Sequence, residues 1–290
     1  MPRRLTNSQA LRQRSKRRRC RRPESVKFNA MKSPAYDCLD QEEIEIAKQP
    51  ITKEEELSLK FNDSIPRGKD AGIRHNVAHK FLSRCDRLIF ARYNIWHLAK
   101  ATSMDTTNLW SVYRFIHLFR LITKLKPKIV MEFGLGVSSV IIAETLKLNH
   151  QRYGIKGKLI SHEQSQKYYD KFNPKFPSSL REYAELNLTP VRLEWFGPYR
   201  GIYYDIDDYP KVVDFIYVDG ATRTRGCSQC DFAYRRLNAD IIRMKNCGTK
   251  FKTAITDHRY ANYPFYVNEL SSEFKVSLSQ IWRSIIITKK

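Results

Sequence analysis

Residues 128–136, KIVMEFGLG, constrain the fold more than any other part of the chain. The apolar run at 129–131 predicts a buried strand, and Gly134 and Gly136 let the chain turn sharply and leave its backbone bare. A helix-like segment follows through Leu148, and its first turn offers unpaired N–H groups to a polar or anionic ligand. Glu132, just before the glycines, is suited to a ligand that carries a cationic amine.

From residue 128 onward, strand-like runs alternate with helical segments. Strands are predicted at 128–133, 157–163, 190–196, 213–219 and 252–257, with weaker candidates at 265–268, 274–278 and 283–288. Helices are predicted at 138–148, 165–172, 179–186, 229–244 and 260–272. This alternation predicts an α/β fold with a doubly wound, mostly parallel sheet, helices on both faces, and a ligand at the carboxyl ends of the first strands.

The part before the sheet has a different character. Residues 85–100 and 109–126 are apolar at helical spacing, and short helical pieces are expected within 35–84. We therefore expect three regions: a basic tail over 1–34, a helical N-terminal extension over 35–104, and the α/β domain over 105–290.

The charge is concentrated at the N-terminus. Of the formal net charge of +22, residues 1–34 contribute +11, from twelve Lys/Arg and the single acid Glu24. Such a segment cannot bury apolar area and is expected to be disordered. It fits a solvated tail, a nucleic-acid-binding arm, or a nuclear or organelle-targeting signal. Because the sequence has no apolar run of about 20 residues, we expect an intracellular, soluble protein without a membrane span.

Six cysteines are too few and too scattered for a disulfide-built fold. Cys227 and Cys230 have the spacing of zinc ligands, with Cys247 and His258 as conceivable partners. Buried or incidental thiols are the alternative interpretation.

Acidic residues close three further predicted strands. Glu163 ends LISHE, Asp219 follows the buried run FIYV, and Asp257 precedes His258 in ITDHR. Because the carboxyl ends of parallel strands meet at one edge, these side chains are expected to gather beside the glycine turn. An acid at the position of Glu163 is placed to accept hydrogen bonds from two ribose hydroxyls.

The segments MEFGLGVSS, LISHE, DFIYVDG and AITDH, in this order, resemble the class I S-adenosylmethionine-dependent methyltransferases over roughly residues 105–290. The Glu-x-Gly-x-Gly after a strand is the most specific part of the resemblance. A nicotinamide-dependent dehydrogenase fits less well, because its fingerprint is Gly-x-Gly-x-x-Gly/Ala and residues 134–139 read GLGVSS.

The resemblance implies an S-adenosylmethionine site. Glu132 would lie near the ligand's ammonium, Gly134 and Gly136 would line its methionine and ribose parts, and Glu163 would hold the ribose. Ser138 stands where a third glycine is frequent and is expected to line the same site.

The acceptor side is expected at Asp219, Asp257 and His258. They resemble the divalent metal site of catechol-type O-methyltransferases, with His258 in place of the usual Asn. Alternatively, His258 is a general base that an aspartate orients, with Asp219 and His258 as the catalytic pair. A purely structural histidine is the third interpretation.

The resulting functional hypothesis is S-adenosylmethionine-dependent methylation, most simply of an oxygen on a small or medium-sized acceptor. Two alternatives stay open: an RNA- or DNA-directed methyltransferase that uses the basic arm, and a non-catalytic interaction module with the methyltransferase fold. Residues 219–222 read DGAT, which lacks the signature of amino-group methylation of DNA bases.

Overall fold

The computed structural model describes residues 112–220, 237–257, 259, 262–279 and 284–290. All of them belong to one compact unit, Leu39–Lys290, whereas the other unit, Met1–Cys38, lies outside the described residues. The helices are α1 (Val112–Leu125), α2 (Val137–Tyr153), α3 (Gln166–Phe172), α4 (Asp240–Asn246) and α5 (Tyr263–Leu270), with 3₁₀ turns at Asn173–Lys175 and Ser178–Leu180. The strands are β1 (Ile129–Phe133), β2 (Lys158–Glu163), β3 (Ala184–Leu188), β4 (Val191–Phe196), β5 (Tyr199–Tyr204), β6 (Val212–Val218), β7 (Leu237–Asn238), β8 (Lys250–Asp257), β9 (Phe274–Ser279) and β10 (Ser284–Lys289).

Seven strands form the main sheet in the order β3-β2-β1-β6-β8-β10-β9. The first five run parallel, and β10 is antiparallel to both of its neighbours. The chain order reverses between β1 and β6, which is the point where doubly wound sheets bind ligands. The predicted fold class, an α/β doubly wound and mostly parallel sheet, is confirmed.

The two faces of the main sheet are covered by different elements. Alternate residues of each strand point to opposite faces, so Val130 lies in a core with α1 and α2, while Met131 lies in a core with α4 and α5. The second core also contains the small sheet β4-β5-β7. Helices α1 and α2 pack against each other beside the glycine turn.

The small sheet is built on a tight hairpin. Gly197 and Pro198 connect β4 to β5, and Gly197 takes a φ of +56°. A positive φ at the first turn residue, followed by a proline, fits a type II′ turn, whose twist matches that of the flanking strands. The hairpin therefore stands as a separate two-stranded unit to which β7 adds one short parallel strand.

Three predicted elements are corrected by the structure. Residues 179–186 are not a helix: the 3₁₀ turn Ser178–Leu180 leads into β3, which is the third strand of the main sheet. Strand 190–196 exists, but it belongs to the small sheet. The candidate strand at 265–268 is wrong, because those residues lie in α5, as the overlapping prediction of a helix over 260–272 indicated.

Several predictions concern residues outside the described ranges. They are the basic tail at 1–34, the helical extension at 35–104, the predicted helix 85–100, and the pair Cys227 and Cys230. The predicted helix over 229–244 is described only from residue 237, where a short strand precedes α4. Among the described helices, none has the length and apolar character needed to cross a membrane.

Candidate functional site

The turn after β1 is held by a contact between two backbones. Gly134 has a φ of +106°, and a Cβ on it would lie 2.2 Å from the Gly220 nitrogen. The carbonyl of Phe133 accepts hydrogen bonds from the N–H groups of Asp219, at 2.9 Å, and Gly220. Glycine is therefore required at both positions, and the contact brings Asp219 beside the glycine turn.

Glu132 is the most completely buried acid of the site. Its carboxylate accepts hydrogen bonds from the hydroxyls of Ser138 and Ser161, each at 2.6 Å, and of Ser139. Ser138 and Ser139 belong to the first turn of α2, and Ser161 belongs to β2. The Glu132 carboxylate on β1 therefore links the start of α2 to β1 and β2. Burial raises the pKa of Glu132 to about 7, although the serine hydrogen bonds act in the opposite direction.

This arrangement bears on two predicted ligand contacts. Glu132 is 0% exposed and Ser138 is 2% exposed, and the two side chains bind each other. The structure thus gives Glu132 a role as a clamp on the glycine turn. Its predicted contact with an ammonium group, and that of Ser138 with the cofactor, stay predictions.

Glu163 closes β2 at the side of the glycine turn. Its Oε2 accepts a hydrogen bond from the Leu135 N–H at 3.3 Å, and its Oε1 accepts one from the Ser165 N–H at 2.8 Å. A carboxylate has about four lone-pair positions, and the Gln164 N–H is a third backbone donor to Glu163, so the side chain can still accept a further hydrogen bond. Burial raises the pKa of Glu163, while these backbone donors oppose the rise. The side chain is thus placed to meet hydroxyl groups of a ligand that lies on the turn.

A tyrosine hydroxyl lies next to the turn at Gly136. Among the described atoms that a Cβ on Gly136 would meet, the nearest is the Tyr168 hydroxyl, at 3.6 Å, which is ordinary van der Waals contact. The ring of Tyr168 stacks on that of Phe172 at a centroid distance of 6.0 Å. Burial and the neighbouring carboxylates of Glu163 and Asp219 raise the pKa of Tyr168 to about 12. A protonated hydroxyl from α3 therefore lies over the bare backbone at Gly136.

The acceptor side is only partly described. Val218 pairs with Thr256 in the register of β6 and β8, so the next residues, Asp219 and Asp257, come at neighbouring strand ends. Asp219 is exposed, whereas Asp257 is buried with 4% exposure. The Arg259 guanidinium donates a hydrogen bond of 2.7 Å to the Asp219 carbonyl. The two aspartates are brought to the same edge, as the sequence predicts.

The third predicted metal ligand, His258, lies outside the described residues. Within the described part of the chain, no group of three or more His, Cys, Asp or Glu side chains could hold a metal ion. A divalent ion at Asp219, Asp257 and His258 stays a prediction, and no chemical step below depends on it.

A buried polar network supports the end of β6. The Asn238 amide donates a hydrogen bond of 2.9 Å to the Gly220 carbonyl, and the Asn238 N–H donates to the Asn262 side-chain oxygen at 3.3 Å. Asn262 in turn donates to the hydroxyl of Tyr266, at 3.3 Å. Because these side chains are buried and bound to one another, they fix the turn that follows Asp219.

Four site residues were not predicted: Ser139, Ser161, Tyr168 and Gly220. Gly220 was visible as the glycine after the strand-end acid, but its partner Gly134 cannot be inferred without the sheet order. Ser161 lies opposite Glu132 only because β1 and β2 pair in the observed register. Tyr168 carried no distinguishing signal, since it lies within an ordinary amphipathic helix.

The fold is that of a class I methyltransferase-like α/β domain, with a doubly wound sheet and a Glu-x-Gly-x-Gly turn at its switch point. The predicted resemblance is thus found in three dimensions.

Comparison with solved structures finds similar chains. One is a methyltransferase from Geobacter sulfurreducens, with 13% identity, a TM-score of 0.40, and coverage of 83% of this chain and 100% of that chain. A second is the O-methyltransferase from Bacillus cereus in complex with SAH, with 12% identity, a TM-score of 0.38, and coverage of 81% and 97%. A third is the O-methyltransferase TomG from Streptomyces achromogenes, involved in tomaymycin synthesis and in complex with SAM, with 9% identity, a TM-score of 0.38, and coverage of 82% and 98%. No protein-family model and no curated protein sequence matches the chain.

Proposed function

We propose that this protein transfers a methyl group from S-adenosylmethionine to an oxygen of a small or medium-sized acceptor. The observation that supports it most is the position of Glu163, which lies against the glycine turn with acceptor capacity left on its carboxylate. Beside it, the backbone at Gly136 carries no side chain and has the Tyr168 hydroxyl as its neighbour.

The residues present fit the nucleoside part of this cofactor. Glu163 would accept hydrogen bonds from the ribose hydroxyls, and the absence of a side chain at Gly136 would let the ligand approach the backbone closely. The start of α2 would offer the positive end of the helix dipole to a carboxylate. These contacts would position the ligand over the tips of β1 and β2.

The chemistry requires little more than positioning and removal of one proton. S-adenosylmethionine supplies a methyl group on a positively charged sulfur; the sulfur–carbon bond breaks as a new oxygen–carbon bond forms. The acceptor hydroxyl must lose its proton, and the exposed carboxylate of Asp219 at the tip of β6 is our candidate for orienting or accepting it, together with His258. The protein would thereby hold the two reactants in line at the sheet edge.

Calorimetry tests the site with S-adenosylhomocysteine, S-adenosylmethionine and NAD as ligands. We expect the first two to bind and NAD not to bind. Glu163→Gln should weaken the binding of S-adenosylhomocysteine by about 1–3 kcal/mol, because a ribose hydroxyl loses a charged acceptor. Glu185→Gln, an exposed acid on β3, is the matched control and should bind like the unaltered protein.

Unchanged affinity in Glu163→Gln would remove that carboxylate from the site, and preferential binding of NAD would overturn the proposed cofactor. Activity then needs a panel of acceptors. If methylation instead requires RNA or DNA and is lost when residues 1–34 are deleted, the acceptor is a nucleic acid, which the local charge of +11 supports.

A further inference from the structure

Strand β4 forms an open edge of the small sheet. In the order β4-β5-β7 it pairs, among the described strands, only with β5. Four of its six residues are exposed, and the burial decreases toward the middle of the strand. Leu193 and Trp195, which lie on the same face, are 37% and 62% exposed. An exposed strand with apolar side chains can pair with another chain unless it is protected.

The hydrogen-bonding pattern of the hairpin shows which backbone groups point outward. The Asp205 N–H donates a hydrogen bond of 2.8 Å to the Pro190 carbonyl, so that pair is a hydrogen-bonded one. Hydrogen-bonded pairs recur at every second residue of an antiparallel ladder. Arg192, Glu194 and Phe196 therefore bond to β5. The backbone groups of Val191, Leu193 and Trp195 point to the open edge.

These outward positions are self-complementary. If two copies of β4 run antiparallel with Leu193 opposite Leu193, then Val191 lies opposite Trp195 and their outward N–H and C=O groups can pair. In the same register, Arg192 of one copy lies opposite Glu194 of the other. Sliding the register so that Arg192 or Glu194 faces itself would place like charges opposite each other. The charges thus favour one alignment.

Within each copy, Arg192 and Glu194 already form ion pairs with neighbouring residues. Arg192 contacts Asp205 at 2.6 Å, and Glu194 lies 3.8 Å from Arg243. Both remain accessible, with side-chain exposures of 65% for Arg192 and 46% for Glu194. Both side chains can therefore contact a facing strand from their exposed positions.

We infer that β4 is the interface of a two-fold symmetric homodimer, in which two small sheets join into one continuous sheet of six strands. This interface is isologous, because both copies use the same residues. Arg192 of the first copy lies opposite Glu194 of the second, and Glu194 of the first lies opposite Arg192 of the second. This interface goes beyond the proposed function and does not depend on any ligand.

Sedimentation equilibrium of the full chain tests the inference. The unaltered protein should show a reversible monomer–dimer equilibrium. Arg192→Glu sets acidic side chains opposite each other at two symmetry-related positions and should weaken dimerisation by about tenfold or more, as should Glu194→Arg with its facing basic side chains. Leu278→Ser, a change at an exposed apolar residue on β9, is the control and should leave the equilibrium unchanged.

Mixing the two charge variants separates an interface effect from misfolding. In the mixed pair, every acidic position faces a basic one, so the mixture should dimerise more strongly than either variant alone. The double variant Arg192→Glu/Glu194→Arg should likewise recover the affinity. A monomeric unaltered protein, or a mixture as monomeric as its two components, would overturn the inference.

Discussion

At the scale of single residues, two glycines decide the geometry of the site because their backbones touch. A Cβ on Gly134 would lie 2.2 Å from the nitrogen and 2.6 Å from the Cα of Gly220, and neither atom can move without displacing the end of β6. The φ of +106° at Gly134 adds a backbone penalty for any other residue. Gly134→Ala should therefore lower the free energy of unfolding by about 3 kcal/mol or more, measured by urea denaturation.

The matched control for this substitution is Gly154→Ala. Gly154 also has a positive φ, +67°, but a Cβ there would meet nothing within 4 Å. Gly154→Ala should lower the free energy of unfolding by only about 1 kcal/mol, which is the cost of a left-handed backbone at a residue other than glycine. If both variants lost the same stability, the backbone contact with Gly220 would not be the reason for the glycine.

At the scale of elements, the start of α3 is tied to the tip of β2. The Ser165 hydroxyl accepts a hydrogen bond of 3.3 Å from the Tyr168 N–H, and the Ser165 N–H donates to Glu163. The helix that carries Tyr168 is therefore positioned by the residue that closes the strand. Ser165→Ala should lower the free energy of unfolding by about 0.5–1 kcal/mol and speed amide hydrogen exchange in the first turn of α3.

Ser165→Thr keeps a hydroxyl that can cap the helix and should show close to the original stability. Equal hydrogen exchange in Ser165→Ala and the unaltered protein would mean that the packing of Phe172, which is 0% exposed, holds α3 without the cap.

Elements buried on both faces were the predictable ones. Strands β1 and β6 show nearly continuous burial, and their sequences, IVMEF and VVDFIYV, are correspondingly apolar. Strand β3 was predicted as a helix because AELNL buries only its first residue and has no alternating pattern. Tertiary pairing with β2, which the local sequence does not report, makes it a strand.

The small sheet was missed for a related reason. Residues 199–204, YRGIYY, were not predicted as a strand, although the preceding Gly197-Pro198 is a turn signal between two strands. For the site, the strand-end acids were predictable because strand ends can be read from apolar runs. The serine partners of Glu132 were not, since they come from another helix and another strand.

At the scale of the whole molecule, the two edges of the main sheet differ electrostatically. At the amino edge, Asp214 accepts hydrogen bonds from the N–H groups of Lys128 and Ile129, at 2.9 and 3.2 Å, and from the Lys252 ammonium, at 3.1 Å. Burial alone would raise the pKa of Asp214, but these donors hold it below its ordinary value. At the carboxyl edge, burial dominates at Glu132 and raises its pKa. The hydrogen bonds of Asp214 stabilise the fold at the amino edge, whereas the burial of Glu132 costs stability at the carboxyl edge, where we propose the ligand site.

Glu132 therefore predicts how the stability of the whole molecule depends on pH. Its pKa rises from 4.5 to about 7 on folding. Between these values the folded state keeps a proton that the unfolded state has released, so the contribution of Glu132 falls as pH rises. The loss approaches about 3 kcal/mol above pH 7. Glu132→Gln cannot ionise, so urea denaturation at about pH 5 and pH 8 should show a smaller fall in stability for this variant.

Asp240 is also fully buried, with a pKa raised to about 7, and it remains in both proteins, so only the difference between their pH profiles reports on Glu132. Parallel profiles for Glu132→Gln and the unaltered protein would mean that the pKa of Glu132 does not change on folding, because the three serine hydroxyls offset the effect of burial. The clamp on the glycine turn would then carry no electrostatic cost at neutral pH.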